Sequence, residues 1–427
     1  MLTFMDYIQE AFSRASQWNQ DNSYSKLTGT AQSLLDFHTP RGLRLHVSSL
    51  PSPKLATSYT LSTTGLVDGS VSYLYSSLPL HIPSKTPALN LHDFVRGYRR
   101  LSPVRAPDEP WWWEEWQGGE RVDRRHTLLY GRLYLPRNAL EALYLRRMSP
   151  TRVLKVSAVS DATLPNGGSI LGLVQNDHGK YSTEYLYSTD SALFGLRGLY
   201  NFGPDPRKQS IVMPPTVEET LEESYSATTI PSAGLFSAGA ELYYGLLNKS
   251  FGLSTGLRFT TLPAHTSFPY TMTLTLNPLM GNLSSTYSVK AGRHLAFSSR
   301  FDFNFYSYES GVLVGLELWR IRRPDKELEW ARKRMAQDSW DEKKDEGFAT
   351  TRTTESAIAA PRFTRALTKE DDDVAGVLKA RVDQDWRIGL LWEGRFKELL
   401  FSVGTSLDLK RREQIFRGIG LEVQYSS

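Results

Sequence analysis

The chain of 427 residues has no cysteine, which excludes a disulfide framework, a thiolate metal site and a cysteine nucleophile. It also lacks any apolar run near the roughly 18 residues that a membrane helix needs. Neither sign of charge dominates, because 50 Lys and Arg stand against 46 Asp and Glu for a formal net charge of +4. That balance is too mild to argue for nucleic acid, and no basic stripe interleaves with stacking aromatics. The eight histidines are scattered without metal-ligand spacing, and there is neither a nucleophile elbow nor a phosphate-binding loop between a strand and a helix. No enzyme activity, metal or cofactor is therefore expected. A repeat of about 40 to 50 residues with a fixed signature is missing as well, which argues against a soluble β-propeller.

The first residues, MLTFMDYIQEAFSRASQW, carry no basic n-region, and the first basic residue is Arg14. They read as neither a secretory signal nor an Arg-rich presequence, which disfavours a bacterial outer-membrane origin. Sequons at Asn248 and Asn282 fall in or beside strand-like segments and read as chance matches.

What the chain does have is alternation. In residues 281 to 306, Leu283, Tyr287, Val289 and Ala291 share one parity while Asn282, Ser284, Thr286, Ser288 and Lys290 share the other. The next segment sets Leu295, Phe297, Phe301, Phe303 and Phe305 against His294, Ser298, Arg300, Asp302 and Asn304. A period of two means strands, and segments of about 9 to 11 residues have the length of a tilted strand that crosses a bilayer. Only every second residue of such a strand meets lipid, which reconciles a mean hydropathy of -0.38 with a membrane protein.

The same pattern recurs in about nineteen segments, from 41–49 to 412–425. Single-chain bacterial barrels have even strand numbers, whereas an odd number occurs in mitochondria. The expected fold is all-β: a transmembrane β-barrel of about nineteen strands over 41–427, preceded by an N-terminal helical or plug segment over 1–40. One stretch, 138–147, could equally form a short helix. Residues 2 to 18 place Phe4, Met5, Ile8, Ala11, Phe12 and Ala15 on one helical stripe, without the Lys/Arg-rich polar face of a membrane-surface helix. This helix should pack on protein, at or inside the lumen. Three insertions, 78–126, 203–232 and 323–374, follow strands three, nine and fifteen and should emerge as long loops on one face.

Register can be decided by energy. A Lys or Arg facing hydrocarbon near the midplane costs about 2 to 4 kcal/mol, so the leucine- and phenylalanine-rich parities face lipid. Lys155, Arg197, Arg258, Lys290, Arg300, Lys379 and Arg381 then face the lumen. Glu184, Asp302, Glu317, Asp383 and Asp408 join them, so the interior reads as solvated and self-paired rather than as a clean anion pore. Tyr73 and Tyr75 share an outward face, either as interfacial girdle residues or as a patch for docking a partner. Trp111, Trp112, Trp113 and Trp116 crowd one loop, where a plug, a membrane-surface anchor or a partner contact are all open. Ser402, Gly404, Leu407 and Leu409 follow the order polar, any, Gly, any, any, hydrophobic, any, hydrophobic. This resembles the sorting signal of mitochondrial outer-membrane barrels. Residues 237–244 match the pattern too, and the final strand offers Gly418 where a polar residue is expected.

Several stretches together resemble one family. MLTFMDYIQEAF, SYSKLTGTAQSLLDF, SYTLSTTGLVDGSVSYLYSS, LLYGRLYLP and LFGLRGLYNFG are similar to the mitochondrial distribution and morphology protein 10 family of fungi. The resemblance implies a nineteen-stranded barrel of the porin and translocase-pore superfamily in the mitochondrial outer membrane, at contact sites with the endoplasmic reticulum. Two associations are implied. One is the tether joining mitochondria to the endoplasmic reticulum, with its lipid-transfer subunits, which serves phospholipid exchange, organelle shape and inheritance. The other is the sorting and assembly machinery that builds β-barrel proteins and the general translocase. Membrane lipids are implied as further partners and nucleic acid is not. The alternative is a conducting channel for metabolites or proteins.

The insertion after strand fifteen is dense in charge and poor in aliphatics, with at most one helix expected near 325–336. Deletion of residues 325–370 should therefore leave the membrane-embedded form intact. Carbonate extraction of the deletion variant checks this, and its appearance in the soluble fraction would refute it.

Overall fold

The computed structural model describes residues 1–63, 67–101, 104, 115–117, 120–122, 125–164, 166–203, 234–262, 265, 267–321, 374–410 and 416–427. Its main feature is a 19-stranded sheet. The first six strands are β1 (Gly42–Ser52), β2 (Leu55–Thr63), β3 (Val67–Ser76), β4 (Thr127–Leu135), β5 (Ala139–Ser149) and β6 (Arg152–Ser160). Next come β7 (Gly168–Asp177), β8 (Tyr181–Ser188), β9 (Leu193–Phe202), β10 (Gly234–Gly245), β11 (Ser250–Thr261), β12 (Tyr270–Asn277) and β13 (Asn282–Lys290). The last six are β14 (Leu295–Asn304), β15 (Ser310–Ile321), β16 (Val374–Asp383), β17 (Arg387–Phe396), β18 (Leu399–Asp408) and β19 (Phe416–Ser426). The segment that could have been a helix, 138–147, is strand β5, paired on both sides.

Every strand pairs antiparallel with its sequence neighbour, and an odd count then leaves the first and last strands running the same way. Closure must therefore be parallel, and β1 pairs with β19 from Gly42↔Gly420 to Ser48↔Ser426. Closing the sheet removes its edges, which hydrocarbon would leave without hydrogen-bond partners. Odd-numbered strands start at one rim, here the entry rim, and end at the other, the loop rim. β3, β9 and β15 all end at the loop rim.

The outer face carries the apolar parity. Leu43, Leu45, Val47, Leu61, Leu196, Leu257, Met272, Leu316 and Val382 are exposed on it. Aromatic pairs bracket this band. The rings of Tyr187 and Phe194 lie 4.9 Å apart, tilted by 50°, toward the entry rim, while Tyr200–Phe202 at 4.9 Å and Phe202–Phe236 at 5.4 Å lie toward the loop rim. Phe194 and Phe202 are separated by about 26 Å of strand, or about 20 Å of height at the usual tilt, close to the band expected between membrane girdles. No helix among the described residues is long and apolar enough to cross a membrane.

The lumen is filled rather than simply solvated, which corrects the expectation from the mixed charges. Two segments of the chain line it. The first starts at the loop rim, where the Met1 amino group contacts Glu393 on β17. Helix α1 (Phe4–Ala15), capped by the Thr3 hydroxyl on the Asp6 N–H, then lies against β2 and β3. Residues 22–27 follow the wall past β7 to β11, with Asn22 Nδ2 donating to Asp177 at 2.6 Å and the Tyr24 hydroxyl 3.0 Å from Ser254. Helix α2 (Gly29–Leu35) crosses β13, β14 and β15, and the chain descends to the entry rim at Pro40. The second segment, residues 78–101, folds back into the loop-rim half from the end of β3. Its helical turn α3 (Leu91–Phe94) is capped by Asn90.

These two segments and the wall share an apolar core. Phe4, Ile8 and Phe12 of α1 meet Leu80, Leu91 and Phe94 of the inserted segment, and Leu74, Leu128, Val377 and Leu400 complete it from inward-facing strand positions. The rings of Tyr7 and Phe94 are 4.5 Å apart. Burying each such side chain contributes about 1.5–3 kcal/mol.

Where the first segment leaves the lumen, Pro40 presses on the wall. A Cβ at Gly404 would lie 2.6 Å from Pro40 Cδ, and one at Gly420 would lie 2.2 Å from the Pro40 carbonyl oxygen. Glycine is required at both positions by this close approach. Gly420→Ala should destabilise the barrel by about 1–3 kcal/mol, whereas Gly418→Ala, where a Cβ meets nothing within 4 Å, should be nearly neutral. Unfolding midpoints of the two variants in detergent compare them directly.

Candidate partner-binding wall and plugged lumen

Some of the sequence-derived lumenal charges hold the plug and others pair along the wall. Lys379 is the most enclosed of the plug contacts. Its ammonium lies 3.9 Å from both Glu317 and Glu393 and donates to the Arg96 carbonyl, while Glu317 also accepts from the Tyr98 N–H at 3.3 Å. All three charged residues are at most 2% exposed. Arg300 clasps Asp36 at 2.8 Å, and Arg381 donates to the Leu35 carbonyl at 3.1 Å with its guanidinium over the Phe37 ring. Arg197 instead pairs along the wall with Glu184 at 3.5 Å and Glu241 at 3.3 Å. Lys155 lines a crevice between β5–β8 and the plug, with Ser13, Trp18 and Glu184. Lys290 ends β13 on the inward parity, and Arg258 is buried on β11.

Next to the seam, His46 Nε2 on β1 lies 3.0 Å from Glu422 on β19, and its Nδ1 is 2.9 Å from the Thr60 hydroxyl on β2. One imidazole thus touches groups on three adjacent strands at the parallel junction of the sheet.

On the outside, Tyr73 and Tyr75 stand on β3, 53% and 44% exposed. Sequence reading missed their companion Tyr59 on β2, which is 48% exposed on the same outer face. Its signal was available, since Tyr59 has the outward parity of Leu55 and Leu61. Tyr75 lies between Leu55 and Leu129, but the neighbour of Tyr73 on β4 is Gly131. Beyond it, Ala142 and Ala158 continue the row. A recess of about 380 Å³ opens over these alanines, flanked by Leu140 and Ile170. The Tyr73 ring therefore stands beside a low stretch of wall.

The sorting-signal candidates fall on β18, the penultimate strand. Ser402 is buried and faces inward with Gly404, Leu407 takes the outward parity, and Leu409 lies just past the strand and is exposed. Gly404 has a packing role against Pro40. Trp111, Trp112 and Trp113 lie outside the described residues.

An odd-stranded antiparallel meander closed in parallel, with an apolar girdled exterior and a lumen packed by its own N-terminal segment, defines a transmembrane β-barrel consistent with the mitochondrial outer membrane. The family model for mitochondrial distribution and morphology protein 10 matches residues 1–427, and the chain belongs to that family. Relatives carrying that description include one from Phaeosphaeria nodorum, 61% identical with both chains fully covered, and one from Sclerotinia sclerotiorum, 56% identical with the same coverage. A relative from Aspergillus niger is 42% identical over 100% of this chain and 99% of its own. The family supports a role in mitochondrial distribution and morphology.

Removing the Lys379 charge leaves Glu317 buried without its cation, while Glu393 keeps the Met1 amino group. Lys379→Met should destabilise the protein by about 3–5 kcal/mol. The double variant Lys379→Met/Glu317→Gln should recover part of that loss, and thermal unfolding in detergent measures both.

Proposed function

We propose that the chain is an outer-membrane anchor subunit of the complex that tethers mitochondria to the endoplasmic reticulum, where lipid-transfer subunits exchange phospholipid, and an accessory subunit of the sorting and assembly machinery for β-barrel proteins and the general translocase. The observation that carries this reading is the packed lumen. A barrel devoted to conduction gains nothing from an apolar core across its mouth, whereas a barrel that presents partners with a fixed surface gains rigidity from one. No catalytic role is proposed.

The wall around Tyr59, Tyr73 and Tyr75 is the docking surface that fits this reading best. Aromatic residues are enriched at protein interfaces, and a tyrosine pair beside a recessed stretch offers a raised edge and an adjoining hollow to a partner within the membrane. Trp111, Trp112 and Trp113 remain candidates for a second contact, and the segment at Ser402, Gly404, Leu407 and Leu409 for recognition by the assembly machinery.

Gentle detergent solubilisation of the tagged protein, native size separation and identification of co-migrating subunits test the proposal. Separate complexes with tether subunits and with assembly subunits are expected. Tyr73→Ala/Tyr75→Ala should leave the unfolding free energy within about 0.5 kcal/mol of the original while removing one set of partners. Unchanged recovery of every subunit would reduce these tyrosines to girdle residues, and a partner-free wild-type barrel with ion-selective conductance would favour a channel.

A further inference from the structure

The turns at the entry rim are of two kinds. Between β4 and β9 they are polar, and among the described residues of 136–138, 161–167 and 189–192 no large apolar side chain is exposed. Between β10 and β17 the turns 246–249, 278–281, 305–309 and 384–386 carry Leu247, Met280, Tyr306, Tyr308 and Trp386, each 63–80% exposed. Outward side chains of the adjoining strands, such as Leu242, Tyr244, Leu316 and Val382, are only 36–41% exposed. The apolar tips therefore project beyond the wall.

These tips are held in place. The Tyr306 ring lies on Gly281, where a Cβ would come within 2.6 Å of it, and its hydroxyl donates to the Pro278 carbonyl at 2.9 Å. The Phe305 N–H donates to the Gly281 carbonyl at 2.8 Å, so two neighbouring turns form one platform. Tyr308 and Trp386 both adopt the left-handed backbone conformation, with φ of 55° and 58°. That conformation suits glycine or asparagine and is costly for a bulky side chain. An aromatic ring held at a turn apex against that cost points to a use for the ring.

The occupant follows from continuity, height and spread. The entry-rim girdle runs through Tyr187, Phe194, Tyr244 and Phe251 on neighbouring strands, so the tips extend a wall that already faces lipid. Leu247 lies three residues past Tyr244, which is about 10 Å of chain, or about 7–8 Å of height at the usual tilt. A headgroup layer about 5–8 Å thick lies on each side of the hydrocarbon, and the tips fall within it. From β10 to β17 they cover seven of the nineteen inter-strand steps, more than a third of the circumference. A single docked protein does not face all of those directions, whereas a bilayer surrounds them. Aromatic and aliphatic tips set among Asn248, Ser307 and Gln384 also have the mixed character of interfacial residues.

We propose that the entry-rim turns from β10 to β17 form a membrane-interface belt, with Leu247, Met280, Tyr306, Tyr308 and Trp386 seated in the headgroup layer. The barrel is then immersed more deeply on this side, and the polar turns between β4 and β9 stay at the water surface.

Because the chain has no cysteine, single-cysteine variants each report one position. Leu247→Cys, Met280→Cys and Tyr308→Cys sample the belt, while Arg137→Cys, Thr163→Cys and Asp190→Cys sample the polar turns of the same rim. Each full-length variant is labelled with the fluorophore NBD and placed in phosphatidylcholine nanodiscs. Quenching is read with lipids doxyl-labelled near the headgroup end of the acyl chain and, separately, with iodide in the water. Belt labels are expected to emit further to the blue than the controls, to lose at least about twofold more intensity to doxyl lipid and to be reached less by iodide. A belt variant whose unfolding midpoint departs from wild type is replaced by its neighbour, Leu246→Cys, Leu279→Cys or Tyr306→Cys. Belt labels that iodide quenches as freely as the controls overturn the belt and leave the arc to a protein partner. Equal doxyl quenching on both halves of the rim overturns the uneven immersion.

Discussion

The parallel pairing of β1 with β19 is the constraint on which the rest of the structure depends. Eighteen antiparallel steps bring the last strand back pointing the same way as the first, and a bilayer does not tolerate an unpaired edge. Parallel pairing is slightly weaker per residue than antiparallel, so the seam is where added support has most effect. The structure supplies it from inside. Pro40 lies across Gly404 and Gly420, and the His46 imidazole links Glu422 to Thr60. The plug is therefore part of the wall at the place where the wall is weakest.

That coupling explains why apolar residues appear on a nominally polar inner face. Leu74, Leu128, Val377 and Leu400 each break the alternation inward, toward the loop rim, where α1 and residues 78–101 cover them. Deeper in the barrel the inner wall returns to hydroxyls such as Thr273, Thr286, Ser288 and Ser298, which pair across neighbouring strands. The lumen thus has an apolar cap over a polar barrel interior, with Lys379, Glu317 and Glu393 at their junction. Buried charges of this kind specify one arrangement better than they stabilise it, and here they fix where the inserted segment crosses the mouth.

The strands were legible because the membrane enforces a period of two on every one of them. Strand number, register and the inward direction of Arg258, Lys379 and Arg300 all follow from that single pattern. Helix α1 was legible for the corresponding reason, its stripe at Phe4, Ile8, Ala11 and Phe12. Residues 78–101 were not. Their apolar residues Leu80, Leu89, Leu91 and Phe94 have no common period, and Pro79, Pro83 and Pro87 interrupt any regular element. Their partners lie on strands up to 320 positions away, such as Leu400. Gly404 shows a related limit: the sequence offers a sorting pattern, while the contact with Pro40 that demands glycine exists only after folding. Tyr59 was within reach, since parity alone places it outward.

The magnitude of lumenal burial sets how readily the passage can be cleared. Clearing the passage by withdrawing residues 1–41 would expose Phe4, Ile8, Phe12, Leu34 and Leu35, each at most 2% exposed in place. At about 2 kcal/mol apiece, these five alone amount to about 10 kcal/mol. A tenfold change in population corresponds to about 1.4 kcal/mol, so the cleared state would be about one molecule in ten million. The same withdrawal would remove Pro40 from the seam and Asp36 from Arg300. Opening and destabilisation are therefore one event in this barrel, and a ligand or partner that emptied the lumen would also have to hold the first and last strands together.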